Sequence, residues 1–199
     1  MRRWIPALCV LTASLAGPSW VYGQAPPSSP GALYRGRPFE EWRRDLQGGA
    51  PMIRERAVVA LCELGEPAVP LLVGAIDDHD FNVRTLAIFC LGRLGPKSKD
   101  AVPALVKALE DRDWIVRRYA AAALGTLEAT AAASAPALAR TAVEDPEAGV
   151  RQTAKFALAR LGAEARDTAR PILQQASVGG ADDAVRTRAL ELLREMDQR

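Results

Sequence analysis

The chain has 199 residues but only one histidine, His79, and three cysteines. Its longest apolar run covers residues 4–16 and is interrupted by Pro6, well short of the roughly 20 residues that a membrane-spanning helix needs. A single imidazole cannot supply a histidine-based metal cluster or serve a Ser-His-Asp set that the remaining residues do not assemble. No Gly-rich phosphate loop and no Cys-x-x-Cys pair is present either. No cofactor and no metal is therefore expected. Excess charge of one sign is also missing. Of the 26 basic residues, Arg2 and Arg3 fall within residues 1–23, where no acid occurs, so the rest of the chain carries 24 basic against 24 acidic side chains. A neutral chain has no general electrostatic attraction for nucleic acid or anionic lipid, and neither is expected as a partner.

What the sequence does contain begins with a leader. Met1-Arg2-Arg3 precedes the apolar run, Gly17-Pro18 breaks it, and Val21-Tyr22-Gly23 offers a small residue before Gln24. Basic start, short apolar stretch and small-residue end are the pattern of a secretory signal peptide over residues 1–23, so a secreted or periplasmic protein is expected. Residues 24–33, with Pro26, Pro27 and Pro30 among serines, read as a flexible linker, and 34–199 as one folded domain.

That domain repeats. Segments starting at Ile53, Val83, Val116, Val150 and Val185 align without a gap on the frame aliphatic-Arg-x-x-Ala-x-x-x-Leu-x-x-(Leu/Met), with starts 30, 33, 34 and 35 residues apart. Counting the first residue of each copy as offset 0, apolar offsets 0, 4, 8 and 11 share one side of a helix at 3.6 residues per turn. Between the copies stand Pro70, Pro103, Pro136 and Pro171, each followed closely by leucine. Proline fits the first turn of a helix, which predicts a second helix opening near each one and makes every repeat a helical hairpin. Asp78, Asp111 and Asp145 close three of these helices and stand six residues before Arg84, Arg117 and Arg151.

Periods of this size also occur in tetratricopeptide and ankyrin repeats, whose Trp/Gly-Tyr and Thr-Pro-Leu-His signatures are absent. Pro-x-Leu, then Asp, then Val-Arg-x-x-Ala-x-x-x-Leu-Gly resembles the HEAT-repeat family, in particular its short phycobilisome-lyase-like subgroup, over residues 38 to about 197. The stretch from Tyr34 through Trp42 to Leu46 looks like the capping first helix of small exported members. The resemblance implies an all-α, right-handed solenoid of about five hairpins. It also implies that Asp78, Arg84, Asp111, Arg117, Asp145 and Arg151 form a structural ladder tying one repeat to the next. Glu128 departs from the pattern in place of the terminal glycine, as does the Gly-rich loop Ser177 to Asp183. The last pair is accordingly expected as a looser cap.

Some HEAT-like enzymes, the deoxyhypusine hydroxylases, hold iron through several His-Glu pairs, and a lone His79 cannot supply them. Phycobilin lyases share the repeat but work in the cytoplasm, which an export signal opposes. The expected function is a non-catalytic scaffold that binds another protein. The alternative is an accessory or catalytic protein of lyase or hydroxylase type. Cys62 and Cys90 fall at offsets 9 and 7 of neighbouring copies, about 160° apart around equivalent helices, which predicts two unpaired thiols with Cys62 turned away from the core. Offsets 2 and 6 face away from the hairpin core. They carry Glu55, Thr85, Arg118 and Gln152, and Val59, Phe89, Ala122 and Phe156. By resemblance this stripe lines the concave surface. Phe89 and Phe156 are then either apolar anchors of a binding groove, with Glu55, Arg118 and Gln152 as polar contacts, or packing wedges between repeats.

Overall fold

In the computed structural model, which describes residues 33–198, each copy of the frame forms the second helix of a hairpin. The signal peptide expected over residues 1–23 and all of the linker expected over 24–33 except Leu33 lie outside the described residues. The five pairs are α1 (Phe39–Gly48) with α2 (Pro51–Leu64), α3 (Val69–Ala75) with α4 (Phe81–Leu94), α5 (Val102–Ala108) with α6 (Trp114–Thr126), α7 (Ala135–Glu144) with α8 (Ala148–Arg160), and α9 (Ala163–Gly179) with α10 (Asp183–Asp197). Before α1, Leu33–Tyr34 pairs antiparallel with Arg37–Pro38 across Arg35-Gly36, so Leu33 belongs to this small ribbon.

Even-numbered helices stack side by side, α2 on α4 on α6 on α8, and the odd-numbered helices pack against them from one side. This is an α-solenoid, in which each hairpin buries its apolar stripe between its own two helices and its neighbours. The frame explains the core directly. Offset 4 supplies Ala57, Ala87, Ala120, Ala154 and Ala189, and offset 8 supplies Leu61, Leu91, Leu124 and Leu158, all buried. In the last copy, Leu193 at offset 8 is only partly buried, while Leu192 at offset 7 and Met196 at offset 11 are buried like most of their counterparts.

Pro70, Pro103 and Pro136 each stand in the first turn of α3, α5 and α7. Pro171 does not: it lies inside α9. In the preceding repeats the approach to the proline is a short 3-10 turn, as in Gly95–Ala101 and Glu128–Ser134. Ahead of Pro171 the helix instead starts directly after Gly162, at Ala163, and runs through the proline to Gly179. After each second helix, Gly65, Gly95 and Gly162 adopt positive φ. Glu128, at the same place in the third pair, is held at φ 53°, a conformation that costs a non-glycine residue about 1–2 kcal/mol.

The seam between successive even-numbered helices joins offset 9 of one copy to offset 7 of the next. A Cβ on Gly125 would lie 2.9 Å from the Ala157 backbone, and one on Gly92 would lie 3.3 Å from that of Ala123. Cys62 and Cys90 occupy the first rung of this same seam. They form a disulfide, with Cα atoms 5.3 Å apart and both residues buried. The expectation of unpaired thiols is thus corrected. The roughly 160° between the two offsets describes opposite flanks of a helix, and opposite flanks are the ones that meet when parallel helices lie side by side.

Candidate functional site

Three arginines at offset 1 each reach a carboxylate of the following repeat. Arg54 binds Asp78 through Nε and Nη2, both at 2.7 Å, and Arg117 binds Asp145 at 2.7 and 3.0 Å. Arg84 lies 3.0 Å from Asp111 through Nε and donates to Asp113 at 2.7 Å through Nη2. Each aspartate also accepts the backbone N–H two residues on, at Asp80, Asp113 and Glu147, which fixes its carboxylate towards the preceding repeat. For this reason no side-chain pair forms between residues six apart. Arg84, Arg117 and Arg151 instead donate Nη1 to the main-chain carbonyls of Asp78, Asp111 and Asp145. The ladder therefore begins at Arg54, which the spacing of six does not pick out.

Burial alone would push the Asp78 carboxyl up. The hydrogen bonds from Arg54 and from the Asp80 N–H outweigh it and hold the group below the ordinary carboxylate range. The Asp145 hydrogen bond raises the Arg117 guanidinium in turn. These are fork-to-fork pairs that orient one hairpin on the next. Replacing Arg117 by alanine leaves the buried Asp145 without its guanidinium and should cost about 2–3 kcal/mol of stability, read by denaturant unfolding. Arg112→Ala, at an exposed arginine of the same turn, should change little.

On the outer side of the even-numbered helices, offset 6 is exposed throughout: Val59 43%, Phe89 47% and Phe156 62%, with Ala122 also exposed. Phe89 meets the edge of Tyr119 on the next helix, ring centroids 6.5 Å apart. The Arg118 guanidinium lies 5.2 Å from the Trp114 ring and 6.0 Å from that of Tyr119. Phe89, Tyr119, Arg118 and the exposed Trp114 thus form one aromatic and cationic patch across α4 and α6. Tyr119 and Trp114 lie outside the frame's outward offsets, so the pattern does not mark them. Glu55 stands at one end of the stripe and accepts a hydrogen bond from Asn82 at 3.2 Å. Phe156 and Gln152 stand at the other end and line two adjoining hollows between α8 and α10.

Those hollows exist because the seam changes character there. Offsets 9 and 7 are Gly125 and Ala157 at the preceding contact but Ala159 and Leu192 at this one. The larger leucine, together with Lys155 and Arg188, holds α10 off α8, and α10 packs mainly on α9. Lys155 spans the gap to Glu195 at 2.5 Å. Among the described residues no group of three or more His, Cys, Asp or Glu could hold a metal ion, and no helix is long and apolar enough to cross a membrane.

A family model for HEAT repeats matches residues 45–125, 82–159 and 102–194. No curated protein matches the sequence. Among solved structures, the complex of CpcE and CpcF of phycocyanin lyase from a Nostoc strain is similar, with 26% identity, TM-score 0.52, and coverage of 78% of this chain and 97% of that one. Computationally designed armadillo repeat proteins for modular peptide recognition align at 18% identity and TM-score 0.54, over 78% of this chain and 81% of theirs. An engineered protein from a structural genomics programme aligns at 19% identity and TM-score 0.54, over 82% of this chain and 80% of that one.

Proposed function

The chain belongs to the HEAT-repeat family, and from that premise we propose that it is an exported, non-catalytic scaffold that binds another protein along the outward stripe of its even-numbered helices. The observation that carries this reading is the surface patch in which exposed Phe89 and Trp114 flank half-buried Tyr119 and Arg118. Aromatic and arginine side chains are the types enriched at binding hot spots, and Phe89 and Trp114 leave much of their ring surface open to a partner. Phe156, Gln152 and Glu55 extend the contact towards both ends. The Cys62–Cys90 disulfide supports export, because such bridges persist in oxidising compartments.

The double variant Phe89→Ser, Phe156→Ser is expected to keep its melting temperature and to lose the proteins that the parent captures from the envelope fraction of its source cells. A large fall in melting temperature would identify the rings as core and overturn the proposal. The second reading, a lyase-type accessory, rests on the similarity to the CpcE–CpcF complex. Stoichiometric metal or a bound chromophore in the purified protein would favour that reading instead.

A further inference from the structure

The arginine ladder stops one rung early. Arg54, Arg84 and Arg117 each grip a carboxylate of the next repeat. Arg151 stands at the same offset and is oriented in the same way, its Nη1 donating to the carbonyls of Asp145 at 2.7 Å and Pro146 at 2.8 Å. The position that supplies Asp78, Asp111 and Asp145 is Gly180 in the last repeat. A Cβ there would fall 2.5 Å from the Ala176 carbonyl oxygen, so the local backbone has no room for the missing side chain. Asp182, at the place of Asp113, turns instead onto the Val185 N–H at 2.7 Å as the cap of α10. Among the described residues, Nε and Nη2 of Arg151 have no partner.

Arg151 lines the hollow between α8 and α10 together with Lys155, Arg188 and Glu191; with Lys155 paired to Glu195, the two arginines face one acidic group. Arg188 is likewise fixed by one bond, Nε to the Val143 carbonyl at 2.8 Å, which leaves both of its terminal nitrogens without a partner among the described residues. Two anchored guanidiniums with unused donors in one recess suit a planar carboxylate, which each can grip through two parallel N–H groups. Residues 1–32 of this chain contain no Asp or Glu and cannot fill the recess with an acidic side chain of their own.

We infer that the hollow between α8 and α10 is a docking site for an acidic peptide segment of a partner protein, whose Asp or Glu carboxylate takes the rung left open at Arg151, with Arg188 as second donor. The inference rests on the scaffold reading and gives the partner's chemistry. Phe156, exposed at the neighbouring hollow, places the end of the aromatic stripe beside this recess and allows one segment to engage both.

The test is a titration of full-length protein with an acetylated, amidated Glu-Ala-Glu peptide, followed through the arginine Nε–Hε NMR signals. Those of Arg151 and Arg188 should move saturably, while those of Arg54 and Arg117 stay in place and the Gln-Ala-Gln peptide has no effect. Arg151→Gln should weaken the peptide, read at Arg188, by about tenfold. Arg188→Gln, read at Arg151, provides the reciprocal measurement. No saturable shift, or a shift no larger than that of exposed Arg140, would overturn the inference. Saturation by inorganic phosphate at lower concentration than by the peptide would also overturn it, by assigning the recess to phosphate. Failure here with Phe89-dependent capture intact would leave the scaffold reading standing, whereas loss of that dependence strikes the scaffold reading itself.

Discussion

Leu91→Ala should lower the unfolding free energy by about 4 kcal/mol, within the range for a leucine deleted from a closed core. Leu91 is wholly buried on α4, which packs against its own partner α3 and against both α2 and α6. A void left there is walled on all sides by elements that are themselves held by neighbours, so little of it can collapse. The equivalent leucine of the last copy, Leu193, is only partly buried on α10, which rests mainly on α9. Leu193→Ala should cost about 1–2 kcal/mol, less than full burial of a leucine side chain contributes. Equilibrium unfolding in urea, followed by circular dichroism, checks the order. A larger loss at Leu193 than at Leu91 would contradict a stack whose centre is braced from both sides.

Leu91 and Leu193 can be ranked from the chain alone because the frame fixes which residue of each hairpin is buried and the order of repeats fixes how many neighbours brace it. A period of about 33 residues, an alanine at offset 4 and a leucine at offset 8 recur because each hairpin meets the same packing problem, and one copy teaches the rest. The last pair's departure is legible for the same reason, since the glycines after Ser177 break the frame where the stack loses a neighbour, and Leu193 at offset 8 is there only partly buried. Pro171 lies inside α9 and not at its start, and the residues before it do not mark the difference, since Glu128–Ser134 also lacks glycine and proline yet forms a 3-10 turn ahead of Pro136.

Contacts between repeats were far less legible. Offset 9 meets offset 7 only because neighbouring even-numbered helices lie side by side, a fact that no single helix contains. Cys62 and Cys90 were therefore set apart by an angle that in the stack brings them together. The ladder shows the same limit: Asp78, Asp111 and Asp145 were visible by their recurrence, but each carboxylate turns back to the arginine of the previous copy, and the first of those, Arg54, has no aspartate six residues before it. On the outward face, offsets 2 and 6 were readable from geometry, whereas Tyr119 and Trp114 join Phe89 and Arg118 through ring contacts that the offsets do not encode.

Removing the bridge by Cys62→Ala, Cys90→Ala should cost about 3–4 kcal/mol, the loop-closure value for a cross-link between residues 28 apart. The variant should nevertheless fold, because the two following rungs of the seam, Gly92 with Ala123 and Gly125 with Ala157, hold their helices together with small residues and no covalent bond. Alanine at both positions reproduces that chemistry, so the loss is one of chain entropy in the unfolded state more than of native packing. Three samples separate the contributions: oxidised parent, parent reduced under denaturing conditions and refolded, and the double variant. The reduced parent and the variant should unfold at similar denaturant concentrations, both well below the oxidised parent. In protein isolated from the cell envelope, then denatured and alkylated without reduction, Cys62 and Cys90 should remain unmodified. Modification of both, with equal stability in all three samples, would mean that the bridge does not form. It would also remove the observation that supports passage through an oxidising compartment.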